Sequence, residues 1–443
     1  MAENENSRRL AEFIQKSPTS YHLAEETRRR LQAAGYEQLL ESSAWKLKAG
    51  GKYYVLRNAS AIAAFRIPET AAGFMIMASH ADSPVLKLKE NPEIREHDCT
   101  RLNVEVYGGA LLAPWFDRPL SAAGRIFVRE EGQIACRLVD LDRDLLVIPS
   151  LAIHMNRQAN DGFKLNPQKD LLPLLGPGDC PSILQLVTEK CRQDQPETAF
   201  RPEDILGSDL YIYCRERPFF WGPGNEYLSS PRLDDAACAF SSLEGFLRAE
   251  KASAGDHIPV HIVFDNEEVG SSTKQGAAST FLKDTLRRIS ACLGCGETEH
   301  LQLLAESFML SGDNAHAMHP NYPEKCDPVN RVRMGKGVVI KYSANQKYTT
   351  DAMSAAVVRL LAERAGISLQ VFSNRSDIPG GSTLGNLSGN QAAIPTADIG
   401  IAQLAMHSPC ECIGCADVDD MIALAETFFQ ASLREAAYGR YRI

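Results

Sequence analysis

Six side chains in this sequence have the types and settings that metal-assisted hydrolysis requires. His80, Asp234, Glu268, Asp313 and His407 each follow a short apolar run, and Glu267 stands beside Glu268. Imidazole and carboxylate ligands, one carboxylate able to bridge two metals, and an unligated base that can take a proton from water are the parts of a two-metal hydrolase. The sharpest segment is Val260-His-Ile-Val-Phe-Asp-Asn-Glu-Glu-Val-Gly270, where a β-branched run stops and delivers two adjacent glutamates into a turn. One of them can ligate while the other holds a proton. Asp234, in Ser230-Pro-Arg-Leu-Asp-Asp235, is the natural bridge, although Asp235 offers the same chemistry. Asp82 lies two residues after His80, on the same side of an extended segment, and is placed to orient that imidazole. Nitrogen and oxygen donors without thiolate suit zinc, manganese or cobalt.

These residues act together only if the chain delivers them to one place. Gly73-Phe-Met-Ile-Met-Ala78 is too brief for a helix and reads as a buried strand ending at His80. The runs before Asp265 and Asp313, and 338–342, 368–372 and 399–405, read as further strands. Helical patterns cover 235–248, 279–288 and 352–365, with one more from an Asp417 cap through Phe428. Ser17-Pro18 marks the start of a helix closed by Gly35. Strands alternating with helices imply an α/β fold, a mostly parallel sheet covered by helices. Ligands of such sheets gather beyond the carboxyl ends of the strands, where most of the candidate residues fall.

From 93 to 218 the texture changes. Gly124-Arg-Ile-Phe-Val-Arg and Gln133-Ile-Ala-Cys-Arg-Leu-Val alternate around Glu131-Gly132, a hairpin pattern. We expect an inserted β-rich domain over 93–218, and a discontinuous catalytic domain over 1–92 and 219–443.

Bulk properties narrow the class. A chain of 443 residues, 44% hydrophobic and 23% charged, is an ordinary globular sequence with more than one core. The net charge of -9 argues against nucleic acid, and the only basic run, Arg28-Arg29-Arg30, reads as a solvated helix face. The polar start and the lack of a membrane-length apolar stretch point to a cytoplasmic protein with no membrane partner. Twelve scattered cysteines read as reduced thiols.

At these residues the chain resembles the aspartyl aminopeptidases, a family of cocatalytic two-metal exopeptidases. The matching motifs span nearly its whole length: Ser17-Pro-Thr-Ser-Tyr-His22, Ser79-His-Ala-Asp-Ser-Pro84, Trp115-Phe-Asp-Arg-Pro-Leu-Ser121, Leu151-Ala-Ile-His-Met-Asn-Arg157, Asp265-Asn-Glu-Glu-Val-Gly-Ser271, Asp313-Asn-Ala-His-Ala-Met-His-Pro-Asn-Tyr322, Asn374 to Gly385 and Leu404-Ala-Met-His407. The resemblance implies two divalent metals per subunit, zinc first, with cobalt or manganese as alternatives. His80 and Asp313 would hold one, Glu268 and His407 the other, and Asp234 would bridge them. Glu267 becomes the general base. The implied substrates are peptides with N-terminal Asp or Glu. Lys341, His316, Tyr348 and the loop holding Gly381 and Ser382 are the expected pocket wall. The resemblance also implies that the insertion is a dimerisation domain, that dimers build a tetrahedral homododecamer, and that His154 reaches a neighbouring subunit's active site.

Two departures bear on this. Where many relatives have Leu-Asp-Asn, this chain has Leu-Asp-Asp235, which adds a possible charge beside the metals. Cys292-Leu-Gly-Cys295 and Cys412-Ile-Gly-Cys415 have thiolate-pair spacing, but we expect no structural metal there. Two other readings stay open: a related aminopeptidase with neutral or broad N-terminal preference, because Lys341 also reads as a strand-edge solubility lysine, and a non-catalytic assembly protein that kept the fold.

Overall fold

The computed structural model describes residues 4–196, 200–251 and 255–443. Among these, one sheet of nine strands runs in the order Glu37–Leu39, Lys52–Arg57, Ala61–Arg66, His257–Phe264, Gly73–His80, Phe308–Gly312, Thr396–Gly400, Val338–Tyr342, Leu369–Ser373. Its four central strands, from His257–Phe264 to Thr396–Gly400, are mutually parallel. Their carboxyl ends therefore share one edge, and that edge carries His80, Asp313 and the turn after Phe264.

The Gly73–His80 strand is buried at every residue, so it reads as a continuous apolar run rather than an alternating one. Its pleat still divides the core. Met75 and Met77 pack into one cluster with the Leu233–Arg248 and Cys415–Gln430 helices, and Phe74, Ile76 and Ala78 pack into a second with the Phe281–Cys292 helix. Each large apolar side chain so buried contributes about 1.5–3 kcal/mol.

A second, antiparallel sheet of six strands joins Gln133–Asp140, Leu120–Glu130, Ile205–Cys214, Val85–Glu96, Cys99–Tyr107 and Leu174–Pro177 around its own core. The hairpin turns at Glu131 and Gly132 with φ of 47° and 78°, the pair of positive angles a two-residue turn requires. The expected boundary at 93 cuts the Val85–Glu96 strand, which pairs with Cys99–Tyr107 from Val85 onward. The change of sheet thus lies just after His80 and Asp82. A third sheet, of five strands, includes Tyr227–Ser230, Glu411–Gly414, Ala402–Leu404 and Ala315–His316, which flank Asp234, Asp313 and His407.

Local details differ from the sequence reading at four places. The first long helix after the polar start is Glu5–Gln15, and the next begins at Ser20 with Thr19 as its cap residue, two positions after Ser17-Pro18. Asp417 does not cap the last helix, which starts at Cys415. Its carboxylate instead accepts the backbone N–H groups of Gly335 and Gly337 at 2.6 and 2.8 Å. The expected strand 399–405 is two short strands in different sheets. Arg28, Arg29 and Arg30 are not simply solvated: they pair with Glu25, Glu26 and Glu244. No described helix is long and apolar enough to cross a membrane.

Candidate active site

At the shared strand edge the structure brings all six candidate residues together. His80 ends its strand, and its Nε2 lies 3.4 Å from Asp234 Oδ1 and 3.9 Å from Asp313 Oδ1. His407 Nε2 lies 3.7 Å from the other oxygen of Asp234 and 3.3 Å from Glu268 Oε2. Asp234 therefore presents one oxygen to each of two ligand groups, His80–Asp234–Asp313 and Asp234–Glu268–His407, whose donor atoms lie within 4.8 Å of one another. A third combination of the same kind joins His80, Glu267 and Glu268.

Both imidazoles are turned for ligation. His80 Nδ1 lies 3.1 Å from the Asp82 carbonyl, and His407 Nδ1 lies 3.0 Å from the Gly109 carbonyl. A carbonyl only accepts, so each Nδ1 donates and each Nε2 faces the cluster. Asp82 does more than orient His80. Its carboxylate accepts the backbone N–H groups of Glu267 and Glu268 at 3.0 and 3.1 Å and the Tyr107 hydroxyl at 2.6 Å, so it fixes the turn bearing both glutamates.

The electrostatics call for cations. Asp234 Oδ1 and Glu268 Oε1 are buried without a hydrogen-bond donor. Burial first, then Asp234, lifts Glu268 well above the usual carboxylate range, and burial with Asp313, Asp82 and Asp234 nearby raises Glu267 to about 8. Burial alone would lower the His80 imidazole, but Asp234, Asp313 and Asp82 hold it well above its ordinary value. A surplus of buried negative charge with inward-facing nitrogen and oxygen donors fits divalent metal ions.

Asp235 is turned away from the cluster. It is fully buried, its Oδ2 accepts the His80 backbone N–H at 3.2 Å, and burial pushes its carboxyl well above the usual range. The two aspartates are thus distinguished by orientation, and only Asp234 faces both groups. The extra charge expected from Leu-Asp-Asp235 is disfavoured by the burial of that carboxyl.

A cavity of about 510 Å³ opens over the cluster, lined by Asp234, Glu267, Glu268, Asp313 and His407, and also by His316, Lys341, Tyr348, Gly381 and Ser382. Lys341 is not a solubility lysine at a strand edge. It is 2% exposed, and its Nζ lies 3.2 Å from Asp313 Oδ2 while donating to the carbonyls of Asp313 and Asn314 at 2.7 and 3.3 Å. Burial would raise Asp313, but Lys341 and His80 hold it at about 2. His154 does not line this cavity; it sits in an exposed loop with Leu151, Ile153, Met155 and Phe163.

Thr383, from the expected loop, also lines the cavity; sequence reasoning missed Gly109 and Phe372 in the lining, and Glu411 behind it. The Gly108-Gly109 pair between strands was the available signal for the first. The paired cysteines form no ligand group among the described residues: Cys292 donates to the Trp45 carbonyl, Cys412 contacts Ser229, and Cys415 donates to the Asn225 carbonyl. Replacing Cys292, Cys295, Cys412 and Cys415 with Ser together should leave the bound zinc per subunit unchanged by atomic absorption; a drop would reveal a thiolate site.

Comparison with known proteins agrees with this geometry. The family model described as aminopeptidase I zinc metalloprotease (M18) matches residues 13–429. A probable M18 family aminopeptidase 2 of Clostridium acetobutylicum is 41% identical over 428 residues, covering 94% of this chain and 96% of the relative. One from Pseudomonas aeruginosa is 38% identical, covering 96% and 97%. Among solved structures, Ape4 in its complex with Nbr1 superposes with a TM-score of 0.93 at 34% identity, covering 96% of this chain and 85% of that one. The mApe1 dodecamer of S. cerevesiae gives 0.83 at 26% identity, with 97% of each chain covered. The catalytic-looking cluster, the fold around it and this coverage agree: the chain belongs to the M18 family of zinc aminopeptidases, which includes the aspartyl aminopeptidases its motifs resemble.

Proposed function

We propose that this protein is a two-metal aminopeptidase that removes Asp or Glu from the N-termini of peptides. The observation that carries the two-metal reading is Asp234, whose two oxygens face two separate ligand groups. His80 and Asp313 would hold one metal, Glu268 and His407 the other, with zinc the first choice and cobalt or manganese as alternatives. When bound, the metals acidify a water and polarise the scissile carbonyl. Glu267, on the cavity wall, takes the proton from the attacking water and returns it to the departing amine. Asp82 keeps that carboxylate in place through the Glu267 backbone.

For an acidic side chain, Lys341, His316 and Tyr348 supply polar lining of the same cavity, together with Gly381 and Ser382. A second reading, neutral or broad N-terminal preference, is favoured by one observation: the Lys341 ammonium is already engaged by Asp313 and two carbonyls. Hydrolysis of Asp-, Glu-, Ala- and Leu-terminated peptides, with zinc, manganese or cobalt restored after chelation, separates the two. Release of Asp and Glu alone supports the acidic preference, and equal release of Ala or Leu overturns it.

We also assign the six-stranded-sheet unit to subunit pairing and the whole to a tetrahedral homododecamer built from six dimers. Support comes from the dodecameric mApe1 it superposes on and from the exposed Leu151, Ile153, Met155 and Phe163 around His154. His154 then serves a neighbouring subunit's cavity. Mixing inactive His154→Ala protein with inactive Glu267→Gln protein should restore part of the activity through mixed assemblies. Mixed assembly without rescue, followed by native mass spectrometry, argues against a trans role. All twelve cysteines are free, which suits a cytoplasmic setting.

A further inference from the structure

Glu411 lies behind the cluster and bonds to two of its segments. It opens the Glu411–Gly414 strand, lies opposite Ser230 in the strand leading to Asp234, and is 1% exposed. Its Oε1 accepts the His407 backbone N–H at 2.7 Å, and its Oε2 accepts the Asp234 backbone N–H at 3.0 Å. One carboxylate thus ties together two ligand-bearing segments that are far apart in sequence. The segment carrying His407 is held in an uncommon backbone conformation. His407 has a φ of 67° and Ala405 one of 54°, a backbone conformation that residues with side chains rarely adopt. Glu411 belongs to none of the ligand groups and does not line the cavity, so it touches neither metal nor substrate directly.

We infer that Glu411 is a positioning residue of the metal centre, whose two oxygens fix the peptide groups of Asp234 and His407 and thereby the gap between the bridging carboxylate and the imidazole facing it. The inference rests on the ligand assignment proposed above. A carboxylate is the group that fits, because both contacts are backbone donors and it offers two acceptors with no competing N–H. Gln at this position must turn an NH2 group toward one of the two N–H donors. Asp keeps both acceptors but is shorter by one C–C bond, about 1.5 Å, and cannot span both.

The test compares zinc affinity with fold stability in the full-length protein. Glu411→Gln and Glu411→Asp should weaken zinc binding about 10–100-fold in competition with a chromophoric chelator, the range seen when a ligand's outer partner is lost. Excess zinc should recover most of kcat. Glu244→Gln provides the control: Glu244 is likewise buried, pairs with Arg9 and Arg30, and stands outside the cluster. It should lower Tm without altering zinc affinity. Wild-type zinc affinity in folded Glu411 variants, or an equal affinity loss in Glu244→Gln, overturns the inference. Failure of both Glu411 variants to fold also overturns it, by making the residue structural. Wild-type protein that binds fewer than two zinc ions strikes the two-metal reading instead.

Discussion

Glu267→Gln lowers turnover by at least ~100-fold while the protein keeps both metals and its assembly, a loss in the ~10²–10⁴-fold range for general acid–base catalysis. The substitution is nearly isosteric and removes only the ability to take a proton. Asp82 holds Glu267 through its backbone N–H, so the turn survives the change. Burial and the surrounding carboxylates raise Glu267 to about 8 in the metal-free protein, and dications beside it move that value down. In the loaded enzyme the acid limb of kcat/KM therefore lies below pH 8, and Glu267→Gln abolishes it. Steady-state kinetics across pH with metal analysis on the same samples checks both points. Near-normal turnover in a fully loaded variant would remove Glu267 from the mechanism.

Asp234→Asn produces an effect of a different kind. The amide retains one oxygen, so one ligand group loses its shared donor and zinc affinity falls by at least ~100-fold, beyond the ~10–100-fold typical of losing only an outer partner. Stability should change in opposite directions in the two states. Without metal, the variant unfolds no earlier than the wild type, because a buried carboxylate has gone from a cluster that includes Glu268, Glu267 and Asp313. With zinc at 100 times its wild-type Kd, the wild type gains about 2.7 kcal/mol at that site, where the variant, weakened ~100-fold, gains about 0.4 kcal/mol. Thermal unfolding with and without chelator reads both signs. A variant that retains two tightly bound zinc ions would show that Asp234 is not the bridge.

Much of the frame was legible because its signals are local. The Ala352–Ala365 helix is recovered end to end, since Asp351 caps it by accepting the Ser354 N–H and Gly366 closes it with a φ of 68°. Gly73–His80 and His257–Phe264 are buried on both faces, and continuous apolar runs report that directly. What failed depends on partners distant in sequence. Asp417 carries a capping residue's signature, yet Gly335 and Gly337 take its carboxylate. The run 399–405 carries a single glycine as its only break, and the chain changes sheet just after it; at Gly400 a side chain would lie 2.0 Å from the Asp313 carbonyl. Lys341 reads the same on an exposed or a buried strand face, and only the position of Asp313 decides between them. The residues that the structure brings together were legible as residue types near strand ends. The choice between Asp234 and Asp235 was not, because it turns on which carboxylate faces inward.

When in synthesis the cluster can be completed follows from where its residues lie along the chain. Its inward-facing groups come from residues 80, 234, 268, 313 and 407, and the two imidazoles are the first and last of them. A ribosome must deliver nearly the whole polypeptide before the second ligand group has its histidine. Until then Asp234 and Glu268 lack their imidazole partner, and a growing chain has no finished centre with which to trim its neighbours. Any cleavage that depends on this cluster is thereby deferred until synthesis has passed His407.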